Sequence, residues 1–194
     1  MLITQIKEPT LIDLVVRNCI HTSSSAIVRK DCFLQAGLFD ERLRACEDYE
    51  MWVRILHKTH YKARLIPYVL TGYRVRSNSL SMNFDLFLRH AHIVMEKFEN
   101  TIPEVTKNLK NRALAEIYRA SSRKALSAGD LDLARKLMKE VLRHCPAIIF
   151  RDLKAFGTFS LIILETPLPP RWRQVPYKFA RKLMKVFYRY YINR

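Results

Sequence analysis

"RACEDYEMWVRI", residues 44–55, sets two neighbouring carboxylates, Glu47 and Asp48, directly ahead of an apolar segment that carries Trp52. The spacing predicts a helix that begins at this acidic pair and runs to about Lys58, with Trp52, Ile55 and Leu56 on its inward side. Acidic residues in a first helical turn have an ordinary use, since they accept from unpaired backbone N–H groups and complement the positive end of the helix dipole. Successive side chains diverge by about 100° around a helix, so two carboxylates at one terminus cannot do the same job. One can cap while the other projects into a cleft, where a carboxylate can act as a general base. Further along the helix, Glu50 and Arg54 stand four apart, a spacing that predicts an exposed ion pair worth about 0.3–0.5 kcal/mol.

Working outward, "SSSAIVRK" reads as a short extended run and "KDCFLQAG" as a brief helix whose Gly37 suits a left-handed position after its last turn. "LFDERL" is a turn, and "ARLIPYVLTGYRV" reads as extended, punctuated by Pro67 and Gly72. From Phe84 the apolar residues recur at three and four. The stretch after Thr101 reads as two antiparallel helices meeting at Ala128-Gly129-Asp130, in the manner of one tetratricopeptide-type hairpin.

Composition bounds the functional classes. A chain of 194 residues, 49% of them hydrophobic, can bury a core. The four cysteines (Cys19, Cys32, Cys46, Cys145) form no C-x-x-C pair, which points to buried, reduced thiols rather than a zinc site or a disulfide framework. The N-terminal stretch lacks the apolar core and cleavage site of a secretory signal, and apolar runs such as LIIL at 161–164 fall far short of a membrane span. The expectation is a cytoplasmic chain that can sit peripherally on the inner face of the plasma membrane.

Charge is uneven. Residues 1–100 carry 14 basic and 11 acidic residues, and residues 101–194 carry 20 and 7. From Arg171 to Arg194 there are eight basic residues, seven aromatics and no acidic residue. Wound as a helix, this tail places Phe179, Leu183, Val186, Phe187 and Tyr190 on one side and its cations on the other, which suits an anionic membrane surface as well as docking on its own domain. Basic charge without a recognisable module does not indicate nucleic acid.

The string from Asn18 to Ser81 joins these elements. A T-S-S segment (Thr22, Ser23, Ser24), an R-K-x-x-hydrophobic helix, G-x-F-D-E, E-D-x-x-x-W-x-R and Y-R-V-x-x-x-S-x-S follow in order. This resembles the distal half of a family 2 glycosyltransferase of the GT-A fold. The resemblance implies an α/β architecture: the acceptor-side part of a Rossmann-like domain over residues 1–82, a helical extension over 83–170 and the basic tail helix over 171–194.

It implies inverting transfer of a sugar from a nucleotide-sugar donor to a glycan or lipid-linked acceptor, with Asp48 as the base and Glu47 shaping the acceptor side. Thr22, Ser23, Ser24, Arg54 and Arg76 are the substrate-binding candidates, although the hydroxyls also suit ordinary turn chemistry. Two departures stand out. The family's nucleotide-binding half ends in an Asp-x-Asp that holds a divalent metal, magnesium or manganese, and such a half is not found ahead of these motifs. The sequence's own Asp-x-Asp, Asp130-Leu131-Asp132, sits at the hairpin tip, where Asp is a natural helix cap.

A histidine metal ligand common in the family is replaced by Arg76, which stays protonated and cannot ligate a cation. No metal site is therefore assigned. The sequence reads as a fragment of a longer glycosyltransferase, inactive alone and needing a second polypeptide to supply the donor-binding half. The competing reading is a non-catalytic interaction or membrane-tethering module derived from such an enzyme.

Overall fold

The computed structural model describes residues 6–72 and 82–165, and these form two compact units that divide between Ile117 and Tyr118. The first unit is built around one helix. Helix α1 (Leu11–Val16) opens with a reciprocal cap, in which Asp13 N–H donates to Thr10 Oγ1 and Thr10 N–H donates to the Asp13 carboxylate. A 3-10 turn (Ser23–Ser25) follows, then α2 (Lys30–Ala36) and α3 (Glu47–Lys58), the helix predicted from the acidic pair.

Helix α3 buries Tyr49, Glu50, Met51, Trp52, Val53 and Ile55, so it is covered nearly all round, and it packs on α1 and α2. Its Trp52 meets Phe39 edge to face (6.3 Å between centroids), and Phe39 in turn meets Phe33 of α2 (5.9 Å). On another side, Tyr49 stands edge-on to Phe98 of α4 (Phe84–Thr101) at 5.4 Å, and its hydroxyl donates to the Val15 carbonyl of α1. Pro103 then opens α5 (Pro103–Ser127), a position where its missing N–H costs nothing.

The second unit holds the end of α5, α6 (Leu131–His144), α7 (Ile148–Arg151) and α8 (Leu153–Glu165). The hairpin tip forms as the sequence predicts. Gly129 takes φ +86°, and Asp130 caps α6 by accepting from Leu133 N–H at 2.9 Å. Small residues bring the two helices close, with Ser122 Oγ donating to the Ala134 carbonyl at 2.8 Å.

The α/β expectation is overturned. Among the described residues there is no strand and no sheet, and the architecture is helical. Residues 61–72 have no regular secondary structure, with a bend at 67–68, and the Leu65 N–H bond to the Lys7 carbonyl (2.7 Å) is an isolated rung. Alternating apolar residues favour an extended backbone, whereas a sheet also needs neighbours to complete each ladder, and parallel neighbours need crossover connections. Without them the apolar side chains face water: Ile27 is 90% exposed and Leu70 72%. Gly37 also differs in detail, since it pairs φ +87° with an extended ψ of 173°, a region open to glycine almost alone and outside the left-handed helical one.

Candidate functional site

Three carboxylates enter the first turn of α3, and each meets a different environment. The turn starts abruptly, because Cys46, the residue before it, is itself left-handed (φ 61°) and contributes no side-chain cap. Glu47 is partly exposed.

Glu50 points into the protein. Its side chain is 2% exposed, and Arg54 donates to both its oxygens, from Nε at 2.9 Å and from Nη2 at 3.0 Å. Lys97 adds a third contact at 2.7 Å. The same guanidinium donates to the Leu38 carbonyl at 2.7 Å and to the Ala36 carbonyl, so Arg54 ties α3 to the end of α2 and the turn after it. This corrects the expectation of an exposed Glu50–Arg54 pair: with Arg54 14% exposed and bidentate, it is a buried polar network. Asp40 joins through Lys97 (3.0 Å) and a bidentate Arg42, and these hydrogen bonds hold its carboxyl well below the usual carboxylate range.

Asp48 differs from both. Its Oδ1 accepts from Tyr49 N–H at 2.6 Å and from Asn18 Nδ2 at 3.4 Å, its own backbone N–H also acts on the carboxyl, and no other residue among those described donates to Oδ2. Burial pushes the carboxyl up to about 6; the Tyr49 N–H pulls against that, the neighbouring Glu47 charge adds to the rise, and Asp48's own N–H and then Asn18 pull down more weakly.

A hollow of about 420 Å³ adjoins the buried network, lined by Gly37, Asp40, Glu50, Val53, Arg54 and Lys97 among others. Asp48 is not one of its walls. At 100° per residue it sits roughly opposite Glu50, Val53, Arg54 and His57 around α3, so the hollow and the Asp48 carboxylate occupy opposite sides of the helix.

The T-S-S segment lies in the turn that follows Asn18. Thr22 Oγ1 accepts from Ser24 N–H (3.4 Å) as the cap of the 3-10 turn, and Ser23 and Ser24 are exposed. Asn18 links this turn to the carboxylate, because its Oδ1 accepts from the N–H groups of Ile20 (3.2 Å) and His21 (3.0 Å) while its Nδ2 faces Asp48. Sequence reasoning passed over Asn18. The available signal was an asparagine shortly before the T-S-S segment, a residue type whose side chain commonly closes its own turn. Arg76 and the tail at 171–194 lie outside the described residues.

Among the described residues, the carboxylates that a divalent metal could use are otherwise engaged. Asp130 is occupied as a helix cap, Asp132 pairs with Arg135 at 3.1 Å, and among the described residues no group of three or more His, Cys, Asp or Glu side chains converges. Nor, among the described residues, is any helix long and apolar enough to cross a membrane.

In comparisons with known proteins, no curated protein and no solved structure matches the chain. A family match covers residues 4–129 under the description "Glycosyltransferase like family 2", an interval that holds the T-S-S turn, the G-x-F-D-E turn, the acidic pair and Arg54. With most of its length matched, the chain belongs to the family 2-like glycosyltransferases, whose general activity is sugar transfer.

Proposed function

We propose that the chain supplies the acceptor side of an inverting glycosyltransferase, with Asp48 as the base. In this reading an acceptor hydroxyl of a glycan or lipid-linked glycan gives its proton to Asp48 Oδ2. Its oxygen then bonds to the anomeric carbon of a nucleotide sugar as the bond from that carbon to the diphosphate oxygen breaks, and the nucleoside diphosphate leaves from the opposite face. The observation that carries the reading is the state of Asp48: one oxygen held by Tyr49 N–H and Asn18, the other given no donor by any other residue among those described, and a proton affinity raised toward neutrality by burial. A base works best when its pKa lies near the working pH.

Glu47 borders the acceptor, and the exposed Ser23 and Ser24 with Thr22 line the approach. Arg54 acts at one remove, by holding α3 against the end of α2. The donor is held elsewhere, because four glycines in the whole sequence offer no phosphate-cradling loop. A segment encoded upstream or a second polypeptide provides it. Metal use belongs to that donor half, and no step here runs through a metal. The basic tail draws the assembly to the inner, anionic face of a membrane, near lipid-linked acceptors.

The test is to express the chain alone and joined to its upstream coding sequence, each with native Asp48 and with Asp48→Asn. Each form is supplied with nucleotide sugars and glycan or lipid-linked acceptors, and products are followed by mass spectrometry. Transfer by the joined form and its loss in Asp48→Asn, with folding intact, support the reading. Normal transfer by Asp48→Asn overturns it. One observation favours the non-catalytic reading, the short Tyr49 N–H bond, by which Asp48 satisfies a first-turn N–H of α3. Absence of transfer in every form would favour that reading.

A further inference from the structure

We propose that Asn18 is a positioning residue that sets the orientation of the Asp48 carboxylate and couples it to the Thr22–Ser24 turn. The inference rests on the reading of Asp48 as the base. A primary amide has one acceptor end and one donor end, and here both are used. Its oxygen accepts from the Ile20 and His21 N–H groups, and its nitrogen donates to Asp48 Oδ1 and, at 3.5 Å, to the His21 carbonyl.

This pattern fixes which way round the amide sits. Turned over, the NH2 group would face two N–H donors and the oxygen would face a carboxylate and a carbonyl, so every contact would become repulsive. The arrangement therefore has one stable state. Asn18 closes the turn at 18–21 and, through the same rigid plane, reaches a carboxylate thirty residues away in sequence.

The consequence for Asp48 is directional. Tyr49 N–H and Asn18 Nδ2 converge on the same oxygen, so they favour one rotation of the carboxylate, in which no other residue among those described donates to Oδ2. The Asn18 contact is the long-range one of the two; the Tyr49 contact is between chain neighbours and leaves the carboxylate's place relative to the turn unset. Of the charged groups, Glu47 acts on Asp48 from its own helix, while the turn brings a neutral donor. Neutrality matters. A lysine or arginine in place of Asn18 would pair with the carboxylate and pull its proton affinity far down, whereas an amide steers it at little cost to basicity.

The experiment follows the Asp48 side-chain carboxyl by carbon NMR in the full chain labelled at aspartate, with the resonance assigned by its loss in Asp48→Asn. Two variants preserve the turn. Asn18→Ser keeps a short acceptor for the turn's N–H groups but does not reach Asp48, and Asn18→Asp keeps the acceptor geometry while replacing the donor by a like charge. The titration midpoint of Asp48 is expected to rise by roughly half a pH unit in Asn18→Ser and by roughly one or more in Asn18→Asp. The Ile20 and His21 amide signals should stay in place in Asn18→Asp.

An unmoved midpoint in both variants overturns the inference. So does a rise in Asn18→Asp with none in Asn18→Ser, which would show nearness without a hydrogen bond. The base assignment is tested separately: a midpoint that moves as expected beside unimpaired transfer by Asp48→Asn would remove Asp48 as base and leave the Asn18 tie standing.

Discussion

Replacing Asp48 by asparagine should stabilise the protein at neutral pH and do nothing at acid pH. The folded carboxyl titrates at about 6, against about 3.9 in the unfolded chain. A group whose affinity for protons is raised on folding favours the folded state while it is protonated. Its contribution is intact below about pH 4 and fades as the pH climbs through 6, because the unfolded chain sheds its proton first.

Two units of difference correspond to about 3 kcal/mol lost by pH 7.5. Asp48 is only partly buried, so the realised figure is smaller. The asparagine also forgoes an anion at the positive end of α3, worth about 0.3–1 kcal/mol. It retains an oxygen to accept from Tyr49 N–H. The net expectation is a gain of about 1–2 kcal/mol at pH 7.5 that shrinks to roughly a third by pH 4.5 and vanishes below about pH 4. Urea unfolding of both proteins at several pH values between 4.5 and 8 measures it directly. A variant less stable than the native protein by 1 kcal/mol or more at pH 7.5 would refute the reasoning, because it would mean that the charge serves the fold. Such a gain in stability on losing the carboxylate is the mark of a group retained for chemistry.

The buried network gives the opposite expectation. Arg54→Met should destabilise by about 3–5 kcal/mol, since it leaves Glu50 inside with one remaining cation and strips the donor from two carbonyls, and thermal unfolding will report it. Gly37→Ala should cost about 1–3 kcal/mol, because a Cβ there takes a glycine-only backbone conformation and stands 3.1 Å from Arg54 Nη1. Gly129→Ala, with positive φ but open space around it, should cost only about 1 kcal/mol in the same assay. For the tail, removal of residues 171–194 should abolish flotation with anionic liposomes and leave behaviour with neutral liposomes unchanged; binding that survives truncation would end the membrane proposal.

Helix α3 was legible because its determinants are local: an acidic first turn, apolar residues at helical spacing and basic residues at the close, which together give Glu47–Lys58. The hairpin tip was legible for the same reason, with glycine and a capping aspartate at adjacent positions. The sheet was misjudged because strand pairing is a property of neighbours, and "ARLIPYVL" carries only the preference of each residue for an extended backbone. Glu50 and Arg54 were misjudged for a related cause. Their spacing is the same on an exposed face and a buried one, and what buries them is Lys97 from α4 and the carbonyls after α2. Asn18 escaped notice because its partner at Asp48 is a tertiary contact.

The distribution of cations argues for Asp48 more strongly than its place in a motif. The chain carries a formal charge of +16, so a carboxylate that needs a counter-ion has many to draw on. Asp40 has two, Arg42 and Lys97, and Glu50 has two, Arg54 and Lys97. Asp48, two residues from Glu50 and partly buried, has none among the described residues; it is held by an amide and by backbone N–H groups. Pairing keeps Asp40 ionised far into acid, while burial without a counter-ion among the described residues moves Asp48 toward neutrality. Carboxylates of one chain driven apart in this way fit a division between structural and acid–base roles. A carboxylate wanted only as a cap gains from a nearby cation, because the added attraction strengthens the same contact. A base loses by it, since the cation removes the proton affinity on which the transfer depends.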